Sequence, residues 1–504
     1  MSPFLIAILL LLIGYKFYEF ITCVPPNTPP CLPRLPFVGS YWHMLWGNYA
    51  YPHKTLRYYV NKLKSKVVTC YLGPFCCVIA NDYNSIKELL MKEDFDGRPT
   101  EVDVLKARAF GSTMGIFFTE GTFWHEQRRF SLRHMRDFGL GRRQEKYEAE
   151  MMEEVTQLID MLKNGPTNDQ EKTFLRKGEA YFPDVLFPYS ANSIWNIAFG
   201  ERLDRTEHHK LIQFCKSAMV FQRAADTTGG AIFQRAFLKY FGNMFGYTNI
   251  IKGHYGMVDF IQGYVDQRKS THTSDSDNGM IDRYLAEMKK RTEASSFSEK
   301  QLVMTIVDYM FPALSAMPST VVHMIKYTMH HPEVMKKVQD EIDSVVGTGR
   351  IVNWEDRKNL PYTEATIREG LRRETLTPFG VLHKSLRNTT LSGYNIPMNT
   401  LAIANLGGLN SDPDLWGDPE NFRPERFLND DGKLGKDYSL PFGFGHRVCT
   451  GETFARYNIF ALYAALMQNF NFEFVDGEPT GLNDKLPGLI VTPKETWIRV
   501  VPRH

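Results

Sequence analysis

A glycine-rich loop near the carboxyl end of the sequence holds a single cysteine and constrains this chain more than any other feature. Residues 442–451 read Phe-Gly-Phe-Gly-His-Arg-Val-Cys-Thr-Gly, and a helical pattern begins at Glu452. The glycines allow tight turns and a close approach of the backbone to a flat ligand. Cys449 precedes the predicted helix N-terminus, where backbone N–H groups favour a thiolate. The pattern predicts a metal ligand or a nucleophile, whereas an isolated cysteine would usually be a small core residue.

This loop resembles the haem-binding loop of the cytochrome P-450 family, the haem-thiolate enzymes. The family's pattern falls on Phe442, Gly445, Arg447, Cys449 and Gly451. The resemblance implies that the cofactor is haem b, that Cys449 is the axial ligand of its iron, and that Arg447 binds a haem propionate. It also implies the family's fold, mainly α with a smaller β portion. A thiolate ligand donates electron density to iron and favours O–O cleavage.

Net charge and cysteine spacing argue against a nucleic-acid-binding protein and against a disulfide-stabilised one. The net charge is +2 over 504 residues, which gives no electrostatic case for a nucleic-acid partner. The seven cysteines form no CxxC pair and no disulfide framework. Such an odd, sparse set is typical of a reducing compartment.

The amino-terminal segment predicts a membrane anchor. Residues 3–14 are apolar and uncharged, and the run reaches the roughly 20 residues that span a bilayer by including Lys16 and Glu19. A cleaved signal peptide and a surface-lying helix are the alternatives. Six prolines between positions 25 and 36 then indicate a stiff, extended linker.

We therefore expect an N-terminal membrane anchor over 1–22, a proline-rich hinge over 23–40 and a haem-thiolate catalytic domain over 41–504. The microsomal members of the family have this arrangement. The resemblance accordingly implies a protein of the endoplasmic reticulum membrane whose catalytic domain faces the cytosol.

Other segments supply the remaining predicted propionate ligands. Trp124 and Arg128 lie four residues apart on a predicted helix, so they share a face, and both donors suit a carboxylate. By resemblance, Arg98 in a loop and His383 at a strand entry complete the set. Each signal is weak alone, since a structural tryptophan and a solvated arginine are the ordinary cases.

A run of arginines continues along the Trp124 helix and just beyond it. Its members are Arg129, Arg133, Arg136, Arg142 and Arg143. In isolation such a run is usually a solvated face. In the family this helix lies on the cysteine side of the haem, where the acidic domain of NADPH–cytochrome P-450 reductase docks, with cytochrome b5 as an optional partner. The Phe-rich residues 221–250 resemble the family's substrate-entrance lid.

Glu369 and Arg372 fit the family's ExxR motif, and Arg426 falls in a Pro-Glu-Arg-Phe string downstream. The two ExxR side chains are one helical turn apart and can fix each other's rotamers. The motif alone is nearly uninformative. The resemblance implies that the three residues form a buried structural cluster behind the cysteine loop, without a catalytic role.

A long helix is predicted from Ser298 to Met329, with Ser298 and Gln301 forming a capping box. In the family this helix crosses the haem and carries an acid–alcohol pair that organises water and delivers protons. Aligned on the following helix, these two positions fall on Ser315 and Ala316, so both are replaced.

Two prolines, Pro312 and Pro318, lie inside the same predicted helix. Each removes a backbone hydrogen bond at a cost of about 3 kcal/mol unless its surroundings compensate. We therefore expect the helix to kink or loosen, and its freed carbonyls, with Ser315, to hold a water chain.

The motifs occur in the family's order along the whole chain and resemble animal microsomal members, in particular insect ones. The implied function is a monooxygenase that inserts one oxygen atom from O2 into a small apolar substrate: a steroid or hormone, a fatty acid, or a xenobiotic such as an insecticide. NADPH supplies the electrons through the reductase.

Three alternatives stay open. The first is a reductase-independent haem-thiolate isomerase or lyase of lipid hydroperoxides, which the Ser315-Ala316 replacement favours. The second is a catalytically silent haem- or ligand-binding protein. The third is an oxidoreductase that uses Cys449 as a nucleophile without haem.

Overall fold

Helices dominate the chain in the computed structural model, which describes residues 3–22, 26–48, 50–142, 144–224, 246–273, 276–291 and 295–504. The protein is 56% helical with about 11% strand, so the prediction of a mainly α fold with a smaller β portion is confirmed. Hinge residues 23–25, Arg143 and residues 225–245 of the expected lid lie outside the described residues.

The helices of the described residues are numbered in chain order. They are α1 Pro3–Thr22, α2 Tyr41–Trp46, α3 Pro52–Leu63, α4 Tyr83–Met91, α5 Asp103–Ala107, α6 Gly121–Asp137, α7 Glu145–Asn164, α8 Phe187–Phe199, α9 His208–Ala224, α10 Tyr247–Thr271, α11 Met280–Lys290, α12 Glu299–His330, α13 Pro332–Val345, α14 Pro361–Arg373, α15 Leu406–Leu409, α16 Pro413–Trp416 and α17 Glu452–Asn469.

The strands of the same residues form two four-stranded sheets and two hairpins. They are β1 Val67–Leu72, β2 Phe75–Ala80, β3 Leu175–Arg176, β4 Glu179–Phe182, β5 His383–Lys384, β6 Thr389–Leu391, β7 Tyr394–Ile396, β8 Leu401–Ala404, β9 Phe470–Glu473, β10 Lys485–Leu486, β11 Thr492–Pro493 and β12 Thr496–Pro502.

The first sheet has the strand order β1-β2-β8-β5 and carries His383 at its edge. Strands β1 and β2 pair antiparallel from Val67↔Ala80 to Leu72↔Phe75. This register leaves Gly73 and Pro74 as the turn, with Gly73 at φ +60°, a conformation that glycine adopts without steric cost. Strand β8 then pairs parallel to β2 and antiparallel to β5.

The long helix α12 is the central element of the fold and packs against α8, α9, α10 and α17. With 32 residues it is about 48 Å long. Ser298 caps it by accepting a hydrogen bond from the Gln301 N–H at 3.2 Å. The expected capping box is only half present, because the Gln301 side chain bonds Gly115 instead of returning to Ser298.

Both interior prolines lie within a continuous α12. The expectation that they kink or loosen the helix stays a prediction. Since proline has no N–H, the carbonyls of Asp308 and Leu314, four residues before each proline, lack their helical donor. Packing of α12 against four neighbouring helices compensates for these two lost hydrogen bonds.

Among the helices whose side chains are fully described, α12 alone is long and apolar enough to cross a membrane, and 83% of its apolar window is buried inside the protein. It is therefore a core helix. Helix α1 has the 20 residues expected of the anchor. Its side chains at Leu10 and Leu11 are 63% and 74% exposed, so the protein itself does not bury them.

Candidate cofactor site

The cysteine loop is a tight structure that leads into α17. The Cys449 N–H donates to the Phe442 carbonyl at 3.0 Å and closes the loop. Gly445 has φ +71°, and a Cβ atom there would lie 2.0 Å from the Leu90 carbonyl oxygen of α4. Only glycine permits this approach, which explains part of the loop's glycine pattern.

The protein groups around Cys449 do not by themselves favour a thiolate. Cys449 is exposed, yet desolvation by the protein atoms around its thiol raises the thiol pKa. The Gly451 N–H and the Arg128 charge oppose the shift without cancelling it. The Gly451 N–H thus acts in the direction expected near a helix N-terminus, but it does not outweigh desolvation. A thiolate here requires a stronger positive charge, and a bound metal ion supplies one.

Three guanidinium groups, those of Arg98, Arg128 and Arg447, lie close to one another beside this loop. Burial lowers the pKa of Arg447 to about 8 and that of Arg98 to about 10, and repulsion between the cations adds to both shifts. Burial lowers the pKa of Arg128 as well. Within the described parts of the chain, none of the three forms an ion pair with a carboxylate. The cluster therefore carries three positive charges, which the nearby Asp96 and Glu120 carboxylates offset only in part.

Backbone carbonyls hold these arginines in position. Arg447 donates to the Asp96 carbonyl at 2.6 and 2.9 Å and to the Thr119 carbonyl at 3.0 Å. Its guanidinium stacks 3.4 Å from the ring centroid of Trp124. Arg128 donates to the Val448 carbonyl at 2.8 Å, so α6 is tied directly to the cysteine loop.

Trp124 confirms that α6 faces this cluster. Its indole Nε1–H is buried and has no hydrogen-bond partner among the residues described. Buried donors are normally paired. Three cations without carboxylate partners and one unpaired N–H form a donor set for an anion with two carboxylates, which a haem carries on its two propionates. The residues present therefore fit haem.

His383 lies in β5 beside this cluster but in a state that limits its predicted role. Its Nδ1 is 2.7 Å from the Phe95 carbonyl oxygen, so that nitrogen carries the hydrogen. Burial and the nearby Arg98 charge hold its pKa well below the usual value. The neutral ring then has no second N–H, and donation from Nε2 to a propionate would require its protonation.

The ExxR motif and the downstream arginine form one buried cluster. Arg372 donates to the two Glu369 oxygens at 2.7 and 2.8 Å, and Arg426 donates to the same carboxylate at 3.1 Å. Their side chains are at most 5% exposed. Arg372 also donates to the Asn410 carbonyl at 2.6 Å. The cluster thus joins α14 to the segment that precedes the cysteine loop.

The positions of the replaced acid–alcohol pair differ in their surroundings. Ser315 is fully buried, and its hydroxyl donates to the Phe311 carbonyl at 2.8 Å, one turn back. Ala316 is half-buried and shares an open helical stripe with Pro312 and Ala313. The methyl group of Ala316, and not the Ser315 hydroxyl, therefore faces the open side of α12.

Sequence reasoning missed a buried ion pair between Arg108 and Asp308. A signal existed, because a fully buried aspartate is rare unless it is paired, and Asp308 lies in an apolar stretch of α12. Nothing in the sequence indicated which cation would reach it, since the partner is 200 positions away.

Comparison with known proteins agrees with this geometry. The sequence model of the cytochrome P450 family matches residues 29–500. The chain is 30% identical to cytochrome P450 2B2 of Rattus norvegicus over 515 aligned positions, covering 100% of this chain and 98% of the relative. It is 32% identical to cytochrome P450 2B9 of Mus musculus, covering 86% and 85%, and 28% identical to a farnesoate epoxidase of Bombyx mori, covering 95% and 94%.

The chain belongs to the cytochrome P450 family. Members of this family are haem-thiolate oxidoreductases of the monooxygenase type, so the predicted enzyme class and the predicted cofactor are confirmed. The silk-moth relative also agrees with the predicted similarity to insect members.

Proposed function

We propose that this protein is a haem-thiolate monooxygenase that inserts one oxygen atom from O2 into an apolar substrate, with electrons from NADPH delivered by a reductase. The observation that carries the proposal is the cluster of Arg98, Arg128 and Arg447, which has excess positive charge beside Cys449. A steroid or hormone, a fatty acid and a xenobiotic such as an insecticide are the substrate classes in question.

In this proposal the Cys449 thiolate would bind the haem iron. Arg98, Arg128, Arg447 and the Trp124 indole N–H would hold the propionates. When bound, haem supplies electron transfer and oxygen activation, whereas the protein supplies the ligand, the electrostatic field and the cavity. The propionate charges would neutralise the arginine cluster, so haem binding and the ionisation of these groups are coupled.

Proton supply on the α12 side is the least ordinary part of the proposed chemistry. The Ser315 hydroxyl is committed to the Phe311 carbonyl, and Ala316 offers no hydroxyl. The carbonyls of Asp308 and Leu314 lack a helical donor because of the two prolines. We propose that waters held by such carbonyls carry the protons in place of the missing pair.

The second candidate function is a reductase-independent isomerase or lyase of lipid hydroperoxides. One observation favours it: the open stripe of α12 presents Pro312, Ala313 and Ala316, with no acid or alcohol among them. A reaction that starts from a hydroperoxide needs no proton delivery for oxygen activation, so this stripe would not impair it.

A two-arm experiment separates the two functions. The purified haem protein is incubated with steroids, fatty acids and lipid hydroperoxides. One arm contains NADPH and reductase, and the other contains only hydroperoxide. Coupled product per NADPH consumed in the first arm supports the monooxygenase. Rearranged product in the hydroperoxide arm alone would refute it and support the isomerase.

We further propose that α1 anchors the protein in the endoplasmic reticulum membrane, with the catalytic domain over 41–504 on the cytosolic side. The exposed arginines of α6, such as Arg129, Arg133 and Arg136, would then meet the reductase, because their charge complements an acidic partner. Deletion of residues 1–22 should release the haem protein from microsomes into the soluble fraction. Retention of the truncated protein would contradict the anchor.

A further inference from the structure

A polar cavity of about 440 Å³ lies between α7 and the segment that follows α8. Its lining consists of Glu154 and Gln157 of α7 and of residues 202–205. Cavities that hold small molecules in proteins have volumes of about 300–1,000 Å³, so this one has room for a small ligand. Its residues belong neither to the cysteine loop nor to the arginine cluster.

Glu154 lines this cavity with a buried carboxylate that is only partly satisfied. Its side chain is 3% exposed. Oε1 accepts hydrogen bonds from the Asn192 amide at 2.9 Å and from Arg202 Nη1 at 3.2 Å. Oε2 is buried and has no hydrogen-bond partner among the described residues. Buried polar atoms are normally paired, so Oε2 calls for a donor.

Asn192 of α8 fixes the position of this carboxylate. Its Nδ2 donates to the Leu203 carbonyl at 3.0 Å as well as to Glu154, and its Oδ1 accepts the Leu203 N–H at 2.8 Å. One amide thus joins α7, α8 and the cavity wall. The carboxylate cannot rotate to satisfy Oε2 without breaking the hydrogen bonds of Oε1.

The two arginines of the lining are already engaged. Arg202 is shared between two carboxylates, because its Nη2 donates to Glu153 at 2.6 Å while its Nη1 donates to Glu154. Arg205 donates to Glu171 through both Nε and Nη2. Neither guanidinium is therefore reserved for Glu154 alone.

Other groups nearby leave the region with net negative charge. Asp204 of the lining is exposed and forms no ion pair among the residues that the structure describes. The Glu150 carboxylate, one turn earlier on α7, lies 3.8 Å from the Lys146 ammonium group. His208 adds no positive charge near neutral pH, because burial lowers its pKa to about 4. Carboxylates therefore outnumber cations here, which favours a cationic ligand.

We propose that this cavity, which we call the α7 pocket, binds a small organic cation with N–H donors, one of which donates to Glu154 Oε2. Such a cation supplies both the positive charge and the missing donor. The described residues contain no group of three or more His, Cys, Asp and Glu side chains that could hold a metal ion. A short diamine suits the pocket best, because Asp204 offers a second carboxylate in the same lining. The inference does not depend on the proposed function, since it uses none of the haem-site residues.

The test uses the full-chain haem protein in detergent, with 1,4-diaminobutane as the probe and calorimetric titration as the measurement. We expect saturable, equimolar binding. The fully N-methylated diamine keeps both charges but has no N–H, so it should bind about tenfold more weakly or worse. Equal affinities for the two probes would overturn the pocket, because they would show only non-specific attraction between charges.

Glu154→Gln should weaken the binding of 1,4-diaminobutane about tenfold or more, because a hydrogen bond to a charged group is lost. Glu364→Gln is the matched control. Glu364 is also 3% exposed and pairs with Arg357, which is 27% exposed, against 26% for Arg202. This control should bind the diamine as the wild type does. No weakening in Glu154→Gln, or equal weakening in both variants, would overturn the proposal.

Asp204→Asn keeps the test decisive if Glu154→Gln does not fold, because Asp204 is exposed and its substitution leaves no buried group unpaired. This variant should bind 1,4-diaminobutane no more tightly than it binds butylamine, which has a single ammonium group. A wild-type affinity for the diamine in this variant would overturn the pocket.

The dependence on pH provides a readout that a purely structural role of Glu154 would not change. Burial raises the pKa of Glu154 to about 7, and the cation requires the ionised carboxylate. Diamine affinity should therefore be about tenfold lower at about pH 6 than at about pH 8, as the ionised fraction falls. This dependence should vanish in Glu154→Gln. A wild-type affinity that is equal at the two pH values would contradict the role of Glu154.

Discussion

A single substitution at the buried Glu369 carboxylate should clearly lower the free energy of unfolding of this protein. In Glu369→Gln the side chain keeps its shape and one acceptor oxygen but loses its charge. The carboxylate accepts two bonds from Arg372 and one each from Arg426 and the Arg423 N–H, all between 2.7 and 3.1 Å. The substitution therefore leaves two guanidiniums buried without their shared anion.

Removal of one partner from a buried ion pair costs about 3–5 kcal/mol. A domain of ordinary stability unfolds with a free energy of about 5–15 kcal/mol, so Glu369→Gln should lose a large share of it. The loss should reach the cysteine loop, because Arg426 also donates to the Trp416 carbonyl at 2.8 Å in the segment before that loop. We accordingly expect haem to be lost at lower urea concentrations than in the wild type.

The assay is urea unfolding of the haem protein, followed by circular dichroism and the Soret band, with half-lives at fixed urea where refolding fails. Asp340→Asn is the control. Its ion pair with Lys336 is 57% and 73% exposed, and such helical pairs contribute about 0.5 kcal/mol or less. A Glu369→Gln variant as stable as this control would refute the reasoning from buried charge.

Four further predictions follow from the same structure. Arg447→Leu should speed haem transfer to an acceptor protein about tenfold or more, as expected for a lost charge-assisted bond, and an unchanged rate would contradict the propionate role. Ala316→Thr should leave product per NADPH unchanged, because we propose that waters on the freed carbonyls already supply the protons, and a rise would show that the missing hydroxyl limits proton supply. Arg133→Glu should raise the reductase KM and weaken its salt dependence, while a KM equal to that of the wild type would place the reductase elsewhere. Burial lowers the pKa of Lys326 to about 8 in the folded protein. Between about pH 8 and about pH 10.4 the unfolded chain therefore binds more protons than the folded one, so the free energy of unfolding should rise with pH. Urea midpoints that rise equally in Lys326→Met would show that another group causes the rise.

Much of the site could be read from local sequence. The cysteine loop, WxxxR and ExxR are short patterns in which neighbouring residues already imply a shared turn or helical face. The β1–β2 hairpin and the bounds of α12 were likewise predictable, because turn residues and capping act within a few positions. These features depend on local geometry that the rest of the fold does not alter.

Other properties depend on distant neighbours, which a local sequence pattern does not reveal. A helix N-terminus suggested a thiolate at Cys449, but surrounding protein raises the thiol pKa. Two prolines suggested a kinked or loosened helix, and α12 runs continuously through both of them. The bond from His383 to the Phe95 carbonyl sets which ring nitrogen carries the hydrogen, and the expected contact with a propionate stays a prediction.

The sequence by itself determined the cysteine, the arginines and their order along the chain, and hence the family. Tertiary structure decided the charge states and the contacts: the arginine cluster without carboxylate partners, and Arg108 placed against an aspartate 200 positions away. The physical reason is that backbone patterning acts over one or two turns, whereas desolvation and buried electrostatics depend on every group that packing brings within a few ångströms.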